Sequence, residues 1–306
     1  MKCLCHIACP AVFGFSYMLI LILRKPPLPM CIWAMRWPCD PIVPVSSPMQ
    51  PLNTLNTIAL IGLGLIGGSL AARIHQYYPN SQVYGVDINA QSRHIALKNQ
   101  WIHQGYASIA ALPPTGIDLA IVCTPLDRVH ADLLALQAQL TSPVIISDVA
   151  SVKLPFSGLD WPSHQCYIGG HPMSGSEQSG IAHAYAGLLD QGPYSLMHAD
   201  KNPEKQVTDW LTGMQLSVVH MRPDEHDAYV AMTSHGPYFL ACALSLATDP
   251  AARPLVGPGF RDMTRIARHD PAWGQAIWAM NQTEIRQALV QIRQHLDTLA
   301  TLPDAA

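Results

Sequence analysis

The chain has 306 residues, of which 49% are hydrophobic, enough for a buried core in one large domain or two ordinary ones. Only 13% are charged and the formal net charge is -3, so there is no basic field to hold nucleic acid or an anionic membrane surface, and work on a small molecule is the class that remains. Cys3, Cys5, Cys9, Cys31 and Cys39 crowd the start, and Cys123, Cys166 and Cys242 are scattered without metal-type spacing, which indicates neither a disulfide framework nor a zinc site.

Residues 1–51 differ from the rest: rich in proline and cysteine, with Asp40 the only acid. Their apolar run, Ala11 to Leu23, is shorter than the about 20 residues a bilayer-spanning helix needs. Lys2 is the only charge before it and no convincing small-x-small cleavage site follows. Met49 stands just before the first patterned strand. The segment is read first as a misassigned or dispensable start, then as a targeting segment, last as an anchor, and it is left out of the fold. A cytoplasmic protein is expected.

From Thr57 the pattern sharpens. Thr57-Ile58-Ala59-Leu60-Ile61 is a buried-strand run, followed at once by Gly62-Leu63-Gly64-Leu65-Ile66-Gly67-Gly68-Ser69 and a helical stretch to about Tyr77. In such a turn Gly62 permits the tight bend, Gly64 lets backbone meet a pyrophosphate, and Gly67 lets the helix pack on the strand. Leu65 and Ile66 supply N–H groups at the helix start. A second strand, Gln82 to Val86, ends at Asp87, a carboxylate placed to accept from both ribose hydroxyls and to repel a 2′-phosphate, so NAD is expected over NADP. Alternation continues with a helix around 90–100, a strand at 117–123 ending in Thr124, a helix around 128–140 and a strand at 144–146. This predicts an α/β fold with a doubly wound parallel sheet, whose ligands gather beyond the carboxyl ends of the strands, near Thr124, Ser151 and Lys153.

The stretch Tyr167-Ile168-Gly169-Gly170-His171-Pro172-Met173-Ser174-Gly175-Ser176-Glu177 follows, with Tyr167-Ile168 as the last strand. Its glycines and Pro172 read as a turn presenting His171, a titratable imidazole, on the cofactor side of the sheet. Beyond about residue 200 long helical patterns take over, so residues 52–200 are expected to form the nucleotide-binding domain and 201–306 a helical domain. Asp227 to Leu246 is nearly apolar on every side, which predicts burial in a core or against a second subunit, and Gly236-Pro237 predicts a kink beside His235. Further on, Asp262 and Arg265 share a helix face, where the acid can orient the guanidinium for a grip on a carboxylate.

In this order the motifs resemble those of the prephenate dehydrogenase family, from about Thr57 to the end of the chain. Gly62 to Leu70 is similar to the family's nucleotide loop, Asp148 to Lys153 to its D-V-G-S-V-K segment, and Gly169 to Glu177 to G-G-H-P-M-x-G-S-E. Ser234 to Tyr238 resembles S-H-x-P-H, and Gly259 to Ala267 resembles G-F-R-D-x-T-R-I-A. The resemblance implies that His171 accepts the proton of the substrate's ring hydroxyl as hydride leaves the same carbon for NAD, with Ser151 holding that hydroxyl or His171. It implies that Arg265 binds a substrate carboxylate with Asp262 as its partner, that His235 and Glu177 border the pocket, and that no metal is needed. Two positions depart from the family: Ala150 replaces a glycine, and Tyr238 replaces the second histidine of S-H-x-P-H. Tyrosine keeps a donor but is not cationic near neutral pH, which bears on the choice between prephenate and arogenate. A homodimer is expected. The competing readings are an arogenate or dual-specificity cyclohexadienyl dehydrogenase, a β-hydroxyacid dehydrogenase, disfavoured because no lysine follows Lys205, and a non-catalytic NAD-binding sensor.

Overall fold

The run Thr57–Ile61 forms strand β1, and five more strands join it in one parallel sheet. This computed structural model describes residues 55–176, 178–199 and 201–301; the N-terminal segment and Glu177 lie outside the described residues. The further strands are β2 (Gln82–Val86), β3 (Gln104–Tyr106), β4 (Leu119–Val122), β5 (Val144–Asp148) and β6 (Gln165–Ile168), in the order β3-β2-β1-β4-β5-β6. The crossovers are the helices α1 (Leu65–Tyr77), α2 (Ala90–Lys98) and α3 (Leu126–Gln139). β3 has no counterpart in the hydrophobic pattern. Its three residues carry no aliphatic side chain, and pairing with β2 holds them.

Strand alternation distributes the core to the two faces of this sheet. Ile58, Leu60, Leu119 and Ile121 pack on one side with Leu70 and Ile74 of α1, while Ala59, Ile61, Ala120 and Val122 pack on the other with Val129 and Leu133 of α3. Burying each of the larger aliphatic side chains contributes about 1.5–3 kcal/mol. The α3 side also receives Tyr238 and Ile277 from the C-terminal helices, which fixes the helical region against the nucleotide-binding sheet.

The expected presenting turn at Gly170–His171–Pro172 is instead a strand, β7, in a second sheet of order β7-β8-β9 with β8 (Tyr194–Met197) and β9 (Val218–Met221). Sequence patterning missed it because a Gly-His-Pro strand has no apolar alternation; its pairing partner β8, all buried, supplies the order. β8, α4 (Lys201–Gly213) and β9 form a parallel crossover unit, so the division expected at residue 200 cuts through a structural unit that runs on to Met221. Arg73 of α1 pins this unit to the main sheet: its buried guanidinium donates to Met214 O at 2.9 and 2.6 Å and to Asp190 Oδ1 at 2.6 Å.

The helical region begins with α5 (Pro223–Val230), a π-helical turn at Ala231–His235, and α6 (Gly236–Ala247). The kink expected at Gly236-Pro237 is this π turn, which absorbs the N–H that Pro237 lacks. Within the single chain the segment is not covered on every side, since Tyr229 is 61% and Leu246 87% exposed, which leaves the second-subunit form of the expectation. α7 (Pro258–Thr264) leads into a 3-10 turn at Arg265–Arg268, and α8 (Pro271–Ala300) bends at Asn281. No helix among the described residues is long and apolar enough to cross a membrane.

Candidate active site

The glycine turn between β1 and α1 has the geometry a dinucleotide needs. Gly62 has φ +95°, and a Cβ there would lie 2.9 Å from the Cys123 carbonyl. At Gly67 a Cβ would meet Gly62 O at 1.9 Å, so the close packing of helix on turn requires glycine. Gly64, the N-cap of α1, has no atom within 4 Å of such a Cβ, so open space lies in front of a 13-residue helix start at the carboxyl edge of the sheet. Leu65 and Ile66 open that helix half-buried. Asp87 closes the crevice: its Oδ2 accepts from Leu63 N and its Oδ1 from Asn89 N, both at 2.8 Å. Each oxygen keeps a lone pair for a ribose hydroxyl. This is a fit to a dinucleotide on backbone, space and charge. Thr124 donates its hydroxyl proton to Asp132 Oδ2 at 2.6 Å, so it faces α3 and can only accept from a ligand.

His171 is buried on β7, and its Nδ1 lies 2.9 Å from His226 Nε2. His226 Nδ1 lies 2.7 Å from Asp227 Oδ1, both residues at the buried end of α5. Asp227 also accepts from the backbone N–H of Lys153 and Leu154 at 2.8 Å, and Asn281 Nδ2 donates to its carbonyl at 2.9 Å. The carboxylate can only accept, so His226 Nδ1 carries a proton; in the tautomer with that proton alone, His226 Nε2 accepts from His171 Nδ1 and leaves a lone pair on His171 Nε2. Burial holds the His171 imidazole well below its ordinary value, reinforced by His226, Lys153 and His235. The ring is therefore a neutral base at neutral pH, with its free nitrogen fixed in direction.

Beneath β7 the buried Lys153 ammonium pairs with Asp148 and donates to Gly170 O at 2.6 Å. Asp148 accepts as well from Tyr167 and from Ala150 N, so both of its oxygens are hydrogen-bonded. A Cβ at Gly170 would meet Asp148 O and the Tyr194 ring at 2.8 Å, which explains the glycine pair before His171 as close packing rather than a turn. Among the described residues the only non-glycines with positive φ are Gln100 and Gln215, so Ala150 replaces the family's glycine without strain.

Two family models match the chain: the prephenate dehydrogenase nucleotide-binding domain over residues 70–218 and the prephenate dehydrogenase dimerization domain over residues 222–304. A prephenate dehydrogenase of Bacillus subtilis is 32% identical over 260 residues, which make up 80% of this chain and 69% of the relative. The chain belongs to the prephenate dehydrogenase family. Among solved structures, the prephenate dehydrogenase of A. aeolicus in complex with hydroxyphenyl propionate and NAD+ superimposes with a TM-score of 0.73 at 26% identity, covering 82% of this chain and 91% of that one. The Synechocystis arogenate dehydrogenase gives 0.65 at 29% identity, with 80% and 91% covered.

The residues that the family resemblance singles out do not all meet in one place. Arg265 lines a cavity of about 420 Å³ with Gly175, Ser176, Gln178, His183 and Gln191, on the loop that leaves β7. Asp262 is exposed one turn earlier, on α7. Ser151, half-buried just past β5, is not what holds His171 Nδ1; His226 is. His235 is fully buried, its Nδ1 3.3 Å from Asn281 Nδ2, and burial takes its imidazole down to about 4 against the opposing pull of Asp227 and the Ser151 backbone. Tyr238 is buried in the core cluster on the α3 side of the sheet. Its ring stands edge-on to Trp273 and Phe239. Glu177 lies outside the described residues. His226, Asp227 and Asn281 were not singled out from sequence; the adjacent His-Asp pair in the first turns of a helix was the one signal that could have found them.

Proposed function

We propose that this chain oxidises prephenate with NAD and that loss of carbon dioxide aromatises the product to 4-hydroxyphenylpyruvate. The relay of Asp227, His226 and His171 carries the reading, because it aims one unprotonated nitrogen of a neutral imidazole outward from a buried strand. A base of that kind fits a reaction in which a hydroxyl proton and a hydride leave neighbouring atoms. NAD, when bound, is the hydride acceptor. His171 Nε2 takes the hydroxyl proton as the C–H bond breaks. The ketone so formed loses the carboxylate across the ring as carbon dioxide, the released electron pair runs through the ring to the oxygen, and His171 returns its proton there. The charge on His171 is shared with His226 and countered by Asp227 while the proton is held.

Gly64, Leu65 and Ile66 would meet the pyrophosphate with backbone N–H groups, while Gly62, whose own N–H goes to Val86 O at 2.7 Å, and Gly67 shape the turn; Asp87 would hold the adenosine ribose and Thr124 border the nicotinamide side of the crevice. Asp87 also supports NAD over NADP, since a carboxylate there repels a 2′-phosphate. Ser151 would position the substrate hydroxyl, Arg265 a substrate carboxylate, and Asp262, Glu177 and His235 the surrounding pocket. Phe239, Leu240 and Ala243 of α6 line an apolar groove with Leu289 and Ile292 of α8, beside the exposed Leu246. That face supports a homodimer through the domain matched by the family's dimerization model. The test is a substrate and cofactor panel on the full chain, whose mass in solution should be twice 33.4 kDa. NADH formation should be fastest with prephenate and NAD; a clear preference for arogenate or for NADP overturns the assignment.

A further inference from the structure

At the edge of the second sheet away from β7, His198, Glu204 and His220 converge, each offering one ligand atom within 4.8 Å of the others. His198 follows β8, Glu204 stands in the first turn of α4, and His220 is in β9. Glu204 Oε1 lies 2.9 Å from His220 Nδ1 and 3.4 Å from His198 Nδ1. The other carboxylate oxygen, Oε2, accepts from Ala199 N at 2.9 Å, which fixes the carboxylate plane. His198 is 57% exposed on its side chain, so the cluster is open to solvent on that side.

The short contact at His220 is not an ordinary hydrogen bond. The Thr208 hydroxyl donates its single proton to Glu204 O at 2.7 Å, so its 3.3 Å contact with His220 Nε2 requires the proton on Nε2. Nδ1 of His220 faces the carboxylate, is buried, and has no partner of hydrogen-bonding geometry despite the 2.9 Å distance to Glu204 Oε1. A cation held between the two atoms would engage both.

We propose that His198 Nδ1, Glu204 Oε1 and His220 Nδ1 form a site for a divalent transition-metal ion of the zinc type, completed by water on the His198 side. Metal bonds of about 2.0–2.2 Å set neighbouring ligand atoms roughly 3–3.5 Å apart, near the two separations observed. Two imidazoles and one carboxylate suit zinc, cobalt or nickel, whereas magnesium and calcium take oxygen ligands. The ion would clip the end of β8 and the start of α4 to β9. β8 pairs directly with β7, His171 lying opposite Ser195, so the clip would stiffen the sheet that carries the base without entering the chemistry.

The experiment is calorimetric titration of the chelator-treated full chain with Zn2+ alone, beside His198→Gln and Glu204→Gln. Glu204→Gln keeps an acceptor for Ala199 N, and His198→Gln alters an exposed position, so either can serve if the other loses its fold by circular dichroism. Wild type should take up one equivalent that both variants lack or bind about 100-fold or more weakly, as loss of even an outer partner costs up to that much. Its Tm should rise with Zn2+ and not with Mg2+. The variant comparison separates this equivalent from zinc held by cysteines elsewhere. Identical titrations for wild type and variants overturn the site, and would make His220 a doubly protonated partner of Glu204.

Discussion

The proposed nucleotide cradle is built almost wholly from backbone, within the few residues from Gly62 to Gly67 plus the carboxylate of Asp87. The proposed base relay is built wholly from side chains, and its first link joins residues 55 apart in the chain. A backbone site is indifferent to most side chains and is broken by adding an atom. A side-chain relay tolerates neighbours but is broken by losing any link. The two regions are therefore tested by opposite kinds of substitution.

The largest effect is expected at the outward end of the relay. His171→Asn removes the proton acceptor, and turnover with NAD and prephenate should fall about 10²-fold or more. His226→Gln leaves the acceptor in place and removes what sets its tautomer, so a smaller fall of about tenfold or more is expected. An unchanged rate in His226→Gln would reduce His226 to packing.

The cradle gives the next largest effect, and only when atoms are added. Gly67→Ala forces a Cβ into Gly62 O and should cost about 1–3 kcal/mol of stability or more, read as a lower Tm. Gly64→Ala meets nothing in the protein, so the fold should stand. If a pyrophosphate occupies that space, KM for NAD should rise about tenfold, equivalent to roughly 1.4 kcal/mol, with kcat little changed. An unaltered KM in Gly64→Ala would remove the turn from cofactor binding.

The same contrast explains what the sequence made legible. A glycine turn between an apolar strand and a helix is a local pattern, and Gly62, Gly67 and Asp87 take the places that spacing gives them. The relay is not local: Pro-Asp-Glu-His-Asp reads as a helix start, and only the fold brings His226 to His171. β7 was invisible because Gly-His-Pro becomes a strand only against β8. Tyr238, three residues after His235, follows that histidine to the same neighbour, and both rings meet Trp273, a contact the helix makes and no linear spacing shows. The ligands His198, Glu204 and His220 come from three elements at spacings no linear motif would flag.

The smallest expected effect is on stability, and it divides the two regions again. His171 and His235 are buried as neutral rings, so the unfolded chain, with histidines near 6.5, binds more protons than the native one as pH falls. Stability contributed by these rings is complete above about pH 6.5 and is lost as pH falls toward the native values, which for His235 means down to about 4. Tm should therefore drop between pH 7 and pH 5. In His235→Gln the absolute Tm will change with the lost contact to Asn281, but the pH slope is a separate readout and should be shallower. Gly64→Ala, which touches no titrating ring, should keep the wild-type slope. An equal slope in His235→Gln would mean that the ring takes up its proton as readily in the native protein as in the unfolded chain, and with it the argument for a neutral histidine cluster around His171 would fail.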